Sequence, residues 1–235
     1  NPDLVVANQG DYEGLSVLLG DGSGAFFAAP YTVSTGGGVS TGTPPTTQPP
    51  KPRIVVSADF NGDTYADIAW TIDYKNTIYG NIGIALNNGR NAIDSFNDPF
   101  YGASPQFIQT GINPYGLIAT DVNQDGAIDL ISADSPSTGT GTISVMLGKG
   151  DGTFQPTLTT NVGTGSRYLA AGDFNRDGHQ DLALSQSIPD NNISLLFGDG
   201  TGRFSRTTLP LSSTSPRDLI SADFNGDGFL DLAAA

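Results

Sequence analysis

Short apolar runs and polar turns alternate along most of the chain. Runs such as 143–147 and 193–197 are separated by segments rich in Gly, Asp, Asn and Thr. No stretch carries a long series of Leu, Glu, Lys and Ala at the 3.6-residue spacing of an amphipathic helix. The pattern therefore predicts an all-β chain made of short strands.

One acidic motif occurs four times along the chain. It reads DFNGDTYADIAW from Asp59, DVNQDGAIDLIS from Asp121, DFNRDGHQDLAL from Asp173 and DFNGDGFLDLAA from Asp223. An apolar segment precedes each copy, and in the full units another follows it and ends in a Gly-rich turn, as in ISVMLGKGDGTF (143–154). With a looser fourth segment, each unit offers four short strands, which is typical of a β-propeller blade. We therefore predict a β-propeller of four-stranded blades, with about four blades in this chain.

The repeat also suggests how the chain is divided. The predicted units cover 1–58, 59–120, 121–172 and 173–222, and 223–235 opens or closes a further blade. Residues 35–52 form an insertion rich in Gly, Thr and Pro within the first unit. Asn1 to Leu4 match residues 229–232, so the chain starts inside a copy of the acidic motif. We expect the chain to be part of a longer array and of a larger propeller.

The acidic motif has the chemistry of a calcium loop. It follows the pattern Asp-x-Asn-x-Asp-Gly-x-x-Asp, with side-chain oxygens at positions 1, 3, 5 and 9. Alternating oxygens that converge suit Ca²⁺, which takes about 6–8 oxygen ligands, and a main-chain carbonyl at position 7 would add one. An EF-hand loop begins in the same way but ends in Glu and continues into a helix, whereas an apolar strand follows here. The alternative is an Asx-rich turn that binds no metal.

Two positions depart from the pattern or stand out in it. Thr64 occupies position 6 of the first loop, where the other copies have Gly. If that turn requires a positive φ, a β-branched residue is strained there, and this site would be weaker or differently shaped. His179, the only histidine, occupies position 7 of the third loop. We expect its side chain to be exposed and not to ligate, because Ca²⁺ prefers oxygen.

Composition narrows the range of partners. The formal net charge is −14, which argues against nucleic acid and against an anionic membrane surface. No run approaches about 18 apolar residues, so no membrane insertion is expected, and no signal peptide is visible. Cysteine is absent, so disulfides say nothing about the redox compartment. The four loops hold half of the 24 acidic residues, and bound Ca²⁺ would offset much of that charge.

The acidic motifs and turns such as LLGDGSGAF (18–26) resemble the FG-GAP/VCBS repeat family, the repeats of integrin-α-type propellers. The resemblance covers nearly the whole chain. It implies a propeller, commonly of about seven blades, with one Ca²⁺ in a strand-connecting loop of many blades. It also implies an extracellular, cell-surface or periplasmic protein that serves adhesion, carbohydrate binding or protein docking.

Carried over by position, the resemblance implies about four Ca²⁺ sites. The implied side-chain ligands are Asp59, Asn61, Asp63 and Asp67; Asp121, Asn123, Asp125 and Asp129; Asp173, Asn175, Asp177 and Asp181; and Asp223, Asn225, Asp227 and Asp231. The implied main-chain ligands are the carbonyls of Tyr65, Ala127, His179 and Phe229. Asp3 would be the last ligand of a fifth site.

We expect no catalytic activity from this chain. A nucleophile–His–acid arrangement would have to use His179, which lies within an acidic loop, and there is no cysteine nucleophile. The clustered carboxylates are assigned to metal, and no phosphate-binding or dinucleotide motif is present. A non-catalytic portion of a larger secreted enzyme is a further, less favoured alternative.

Two binding roles remain open at this point. The favoured one is a calcium-stabilised docking, adhesion or structural module that presents variable loops to a protein partner or a surface assembly. The alternative is a lectin-like module that binds glycans between blades, which would require an aromatic residue repeated once per blade. The connector 90–107 carries Phe96, Phe100, Tyr101 and Phe107, which form either a docking patch or a cover for a blade edge.

Overall fold

The computed structural model describes residues 3–8, 14–33, 51–73, 80–87, 89, 105–187, 189–211 and 216–235. These residues form 17 β-strands and no α-helix, which confirms the all-β prediction. In the same ranges there is no helix long and apolar enough to cross a membrane.

The strands are short and follow one another with few interruptions. They are β1 (Leu4–Asn8), β2 (Gly14–Gly20), β3 (Phe26–Val33), β4 (Lys51–Ala58), β5 (Asp67–Asp73), β6 (Gly80–Ala85), β7 (Gln106–Thr110), β8 (Pro114–Thr120), β9 (Asp129–Asp134), β10 (Gly141–Met146), β11 (Leu158–Gly163), β12 (Ser166–Gly172), β13 (Asp181–Gln186), β14 (Asn192–Gly198), β15 (Phe204–Pro210), β16 (Leu219–Ala222) and β17 (Asp231–Ala234).

The strands pair with their sequence neighbours in antiparallel sheets. Three sheets have four strands each, in the orders β4-β5-β6-β7, β8-β9-β10-β11 and β12-β13-β14-β15. A three-stranded sheet, β1-β2-β3, precedes them, and the two-stranded sheet β16-β17 follows. Each four-stranded sheet begins one strand before an acidic loop, whereas the repeat units of the sequence were counted from the loop itself. These sheets have the strand number and order expected of propeller blades.

Apolar side chains fill the spaces between successive sheets. Along β9, Leu130 packs toward the preceding sheet and Ile131 toward the following one, because neighbouring residues of a strand point to opposite faces. Strands β9 and β13 are buried along their whole length for this reason. Trp70 of β5 lies in the cluster between the first two sheets and is fully buried. The core is therefore divided among the intervals between sheets.

The first strands of consecutive sheets pack against one another. A Cβ atom at Gly116 of β8 would lie 2.3 Å from the carbonyl oxygen of Arg167 in β12, so only glycine permits this approach. The hydroxyl of Ser221 in β16 donates to the carbonyl of Ala171 in β12 at 2.9 Å. Strands β4, β8, β12 and β16 thus line one side of the array.

The antiparallel order gives the array two different ends. The acidic loops connect the first and second strands of a sheet, and the Gly-rich turns connect the third and fourth, so both lie at one end. The second-to-third-strand connectors and the starts of β4, β8, β12 and β16 lie at the other end. We call these the loop end and the connector end.

Several features of the sequence fall partly outside the described residues. Lys51 and Pro52, placed at the end of the insertion by the sequence, open strand β4. The rest of the insertion lies outside the described residues, as do Phe96, Phe100 and Tyr101. Phe107 lies in β7 and packs, half-buried, against the cluster around Trp70. This position favours a role in covering a blade edge over a role in a docking patch.

Candidate functional site

The four acidic loops share one hydrogen-bond network. In the loop after β8, the backbone N–H of Asp125 donates to Asp121 Oδ1 at 3.2 Å, and the N–H of Gly126 donates to Asp121 Oδ2 at 2.9 Å. The position-1 aspartate accepts the corresponding N–H groups in the other three loops. The first carboxylate of each loop therefore draws the following turn around itself.

Positions 3 and 5 are held together in the same way in each loop. In the loop after β12, Asn175 Oδ1 accepts the N–H of Asp177 at 2.9 Å, and its amide donates to Asp177 Oδ2 at 2.8 Å. Asp177 Oδ1 in turn accepts the N–H of His179 at 2.8 Å. The structure thus gathers the predicted side chains of positions 1, 3 and 5 within each loop.

The position-9 aspartate has a role that the sequence did not reveal. Asp129 Oδ2 accepts the N–H of Val122 at 2.9 Å, and Oδ1 accepts the N–H of Gly148 at 2.7 Å in the Gly-rich turn. Asp67 and Asp181 make the equivalent pair of bonds. Asp3 accepts the N–H of Gly20 at 2.8 Å, as expected for the ninth residue of such a loop. In Asp67, Asp129 and Asp181 this carboxylate is fully buried, and it fastens the acidic loop to the hairpin turn beside it.

Backbone conformation explains the glycine at position 6. Gly126, Gly178 and Gly228 have φ values of 88°, 88° and 81°, and Thr64 has a φ of 75° at the same place. The expected positive φ is therefore present, and Thr64 adopts a conformation that β-branched residues rarely occupy. Its N–H still donates to Asp59 Oδ2 at 2.7 Å, so the network is complete despite the substitution.

The side chains at position 7 pack against the neighbouring hairpin turns. The ring of His179 lies over Gly200, and the ring of Tyr65 lies over Gly89. His179 is half-buried, and its Nδ1 atom is buried without a hydrogen-bond partner in the described part of the chain. The expectation of an exposed His179 was therefore wrong, because the turn leaves a space that the imidazole fills.

Burial and charge repulsion act on the loop carboxylates. Burial raises the pKa of Asp129 to about 6, and the negative charges of Asp125 and Asp121 contribute to the rise. Burial also raises the pKa of Asp67. At the exposed position 1, the N–H of Gly228 is the main cause that lowers the pKa of Asp223. The buried carboxyls of Asp67 and Asp129 therefore ionise at a cost, whereas the exposed Asp223 carboxylate is favoured in its charged form.

Neighbouring loops also contact one another. The side-chain amide of Gln124 donates to the carbonyl of Gly178 in the next loop. The guanidinium of Arg176 donates to the carbonyl of Gly228 at 2.5 Å and lies 4.0 Å from the centre of the Phe229 ring. Residues at position 4 of one loop therefore reach position 6 of the next, a link that the repeat pattern did not indicate.

The donor set of each loop is compatible with a hard cation. It consists of carboxylate, amide and carbonyl oxygens, which Ca²⁺ prefers over nitrogen and sulfur. No three His, Cys, Asp or Glu side chains in the described ranges converge closely enough to hold a metal by themselves. Positions 1, 3 and 5 come together, while the position-9 residues Asp67, Asp129 and Asp181 accept an N–H at each oxygen and would have to ligate through a remaining lone pair.

A buried polar pair recurs between the second and third strands of the sheets. Ser144 Oγ donates to Asp134 Oδ2 at 2.6 Å, and Ser194 Oγ bonds to Gln186 Oε1 at 2.5 Å. In the first sheet Asn8 Nδ2 donates to Ser16 Oγ at 2.7 Å. The sequence signal for this pair was the serine that follows the first apolar residue in LSVLL, ISVML and ISLLF.

The connector end carries a cluster of arginine and tyrosine residues. The guanidinium carbons of Arg53 and Arg167 each lie 4.1 Å from the centre of the Tyr115 ring. Tyr168 contacts Tyr115 edge to face, with ring centres 5.8 Å apart. We call these four residues the Arg–Tyr cluster. The sequence did not indicate this cluster, because its members come from three different repeats.

The fold and the loops together define an all-β repeat protein with acidic loops at one end of its sheets. Residues 121–184 and 173–234 match the family model of the FG-GAP-like repeat, which confirms the predicted resemblance over this part of the chain. The motif at Asp59 and the sheet β4–β7 lie outside the matched residues but repeat the same loop network. A search of curated proteins found no match.

Proposed function

We propose that this chain is a calcium-stabilised β-propeller segment that serves as an extracellular docking or adhesion module. The observation that carries the proposal is the network shared by the four acidic loops. It holds the oxygen-bearing side chains of positions 1, 3 and 5 together in every copy, even where Thr64 strains the turn. A turn that served only to join two strands would not need three side chains with oxygen ligands at a fixed spacing.

Calcium would act here as a structural ion. Positions 1, 3, 5 and 9 would supply side-chain oxygens and position 7 a carbonyl, and the ion would neutralise carboxylates that otherwise repel one another. The loops lie beside the inter-loop contacts of Gln124 and Arg176, so an ordered loop would also support its neighbour. Extracellular calcium modules work at affinities of about 0.1–1 mM, which suits the proposed location.

The proposal includes a propeller larger than this chain. Phe60, in the loop after β4, packs edge to face on Phe154 of the next sheet, with ring centres 5.9 Å apart, and is 2% exposed. Phe224 occupies the same loop position in the last sheet and is 55% exposed. Phe26, which corresponds to Phe154, is 41% exposed in the first sheet. Further sheets of the same kind would cover both rings.

The docking role is supported by the difference between the two ends. The acidic loops repeat one sequence, whereas the exposed connector residues 137–140 and 189–190 differ in sequence and in number. Connectors that hold no core side chains are free to diversify for binding. The glycan alternative lacks its expected aromatic platform in the described sheets, since the repeated phenylalanines such as Phe60 and Phe154 pack into the core.

The calcium proposal is tested by thermal melting and calorimetric titration of the chain after treatment with excess chelator. We expect about four bound Ca²⁺ ions and a higher melting temperature in millimolar calcium. Asp177→Asn should remove one ion and part of the stabilisation. Asp151→Asn, an equal charge change in an exposed hairpin turn, is the matched control and should alter neither. A melting temperature that is the same in calcium and in chelator would overturn the proposal.

The docking role is tested separately through the connectors. Residues 137–140 are exposed, so replacing them with a Gly-Ser sequence of equal length should leave both melting temperature and calcium binding unchanged. A loss of stability comparable to that of a core substitution would show that the connector maintains the fold, and the support for a binding role would disappear.

A further inference from the structure

The Arg–Tyr cluster occupies one equivalent position in successive repeats. Arg53, Tyr115 and Arg167 are each the second or third residue of the first strand of a sheet, and Arg217 stands at the matching place before β16. These first strands pack side by side, so the four positions form a row at the connector end. The array therefore places arginines from different repeats around one tyrosine.

The geometry leaves the edges of a guanidinium group available. The guanidinium carbon of Arg167 lies 4.1 Å from the centre of the Tyr115 ring, and the Nε–H of Arg167 donates to Ser187 Oγ at 3.1 Å. Its remaining N–H groups have no carboxylate within ion-pair distance among the described residues. Arg167, Tyr115 and Tyr168 are half-buried, and Arg217 is exposed. The ring fixes the orientation of the fork without using its hydrogen-bonding capacity.

The electrostatics favour an anionic ligand at this place. The positive charge of Arg167 lies beside the Tyr115 ring, and it would attract an anion placed at its outward N–H groups. The rest of the molecule is acidic, with a net charge of −14, and half of its acidic residues lie in the loops at the opposite end. The connector end carries Arg53, Arg167 and Arg217 together with Asp134, Asp190 and Asp218, so it lacks the concentration of carboxylates found at the loop end.

We propose that the Arg–Tyr cluster binds a carboxylate side chain of an acidic segment in a partner protein. A guanidinium fork matches the two oxygens of a carboxylate, and the pair is stronger where neighbouring groups hold the fork in place. The guanidinium groups cover Tyr115 from the strands on either side, which leaves little aromatic surface for stacking on a sugar. A short acidic segment fits better than a long one, because the protein's overall charge would repel the latter. This inference rests on the proposed docking role and names the surface and the chemistry of the partner.

The test is an NMR titration of the ¹⁵N-labelled chain in calcium, at low ionic strength. The probes are a capped tetrapeptide Gly-Glu-Glu-Gly, the matched peptide Gly-Gln-Gln-Gly, and a digalacturonate. The Nε–H signal of Arg167 is protected by its bond to Ser187 and reports directly on the site. We expect saturable shifts at Arg167 and in the first strands with the glutamate peptide, and none with the glutamine peptide.

Variants separate a specific site from general charge attraction. Arg167→Gln should weaken binding of the glutamate peptide about tenfold, and Arg167→Lys, which keeps the charge without the fork, should give an intermediate loss. Arg203→Gln is the matched control, because Arg203 is exposed in a hairpin turn at the loop end, and it should have no effect. Equal losses in Arg167→Gln and Arg203→Gln, or no shift at Arg167, would overturn the inference.

The remaining outcomes also decide between explanations. Binding of digalacturonate in preference to the glutamate peptide would overturn the assignment to a protein partner and favour an acidic glycan. Calcium-dependent stability without peptide binding would reject this inference while leaving the calcium proposal intact. Peptide binding without a calcium effect on melting would support this inference and reject the calcium proposal.

Discussion

At position 6 of the acidic loops, the backbone is left-handed whether the residue is glycine or threonine. Gly126 and Thr64 have φ values of 88° and 75°, although one is the residue best suited to that region and the other among the least suited. The Thr64 side chain is exposed and its N–H bond to Asp59 does not depend on it. Thr64 therefore keeps a strained conformation with an exposed side chain and with a backbone bond that glycine would make equally well.

Thr64→Gly should stabilise the protein. Relief of the left-handed strain should exceed the added chain entropy of glycine, for a net gain of about 0.5–1 kcal/mol in the free energy of unfolding. Chemical denaturation in chelator measures this gain. The matched control is Gly126→Thr, where an added Cβ meets no atom within 4 Å, so that any loss is conformational. A Thr64→Gly variant less stable than the parent chain would show that the threonine side chain contributes a contact of its own.

Asp134 is a buried carboxyl surrounded by hydroxyl groups. Its oxygens accept bonds from Ser132, Thr142 and Ser144 and from the N–H of Gly111. Burial raises the pKa of Asp134 to about 6 despite these bonds. Because the folded state then holds the proton more tightly than the unfolded chain does, this group lowers the free energy of unfolding as pH rises from about 4 to about 6.

Asp134→Asn should remove this dependence on pH. Asn8 fills the equivalent place in the first sheet and bonds to Ser16, so an amide is compatible with the site. We expect the unfolding free energy of the variant, relative to the parent chain, to rise by about 1–3 kcal/mol between pH 4 and pH 7. Denaturation of both proteins across this range measures it, and a constant difference would contradict the assignment. Asp67 and Asp129 contribute the same pH dependence in both proteins, so their contribution cancels from the difference.

At the level of the strands, one sheet departs from the pattern of the others. Strand β14 carries Ser194 opposite Leu184, whereas β6 carries Gly83 opposite Trp70. A Cβ atom at Gly83 would lie 2.4 Å from the Trp70 ring. The glycine therefore makes room for the indole, and the buried polar pair of the other sheets is replaced by one large apolar side chain.

A double-mutant cycle tests this exchange. Gly83→Ser should cost about 1–3 kcal/mol through overpacking, and Trp70→Leu about 2–4 kcal/mol through the cavity it creates. The double variant restores the Leu184–Ser194 arrangement within β5 and β6, so its cost should be at least about 1 kcal/mol below the sum. Urea denaturation of the four proteins gives the coupling, and strictly additive losses would show that the two positions do not share space.

The strands and their chemistry were predictable to different degrees. Alternating apolar runs and the repeated DFN and GDG motifs predicted the strands, their number per sheet and the acidic loops. They did not predict that Asp129 and Asp181 turn inward to the N–H groups of Gly148 and Gly198. A repeat shows which residues recur, but a carboxylate at a fixed spacing suits a metal and a backbone N–H equally well.

For the molecule as a whole, the core lies between sheets and the charge lies at one end. Apolar clusters join each sheet to the next, so every sheet depends on its neighbours for burial. The acidic loops concentrate half of the 24 acidic residues at the loop end. Self-repulsion there opposes folding unless cations or salt reduce it.

Salt should therefore stabilise the protein more in chelator than in calcium. Raising NaCl from about 20 to 500 mM screens exposed carboxylates, and the proposed Ca²⁺ ions would already have neutralised many of them. Melting curves at both salt concentrations, with and without calcium, give the two increments. A larger increment in calcium would indicate that the loops are not where the ions act.

The sequence by itself determined the class of fold, the repeat and the composition of each acidic loop, because these depend on local periodicity and on residues a few positions apart. Only the tertiary structure decided which carboxylates are buried, how position 4 of one loop reaches the next, and that Arg53, Tyr115 and Arg167 meet. Those contacts join different repeats, and their geometry is set by how closely the first strands pack. No spacing along the chain encodes that distance.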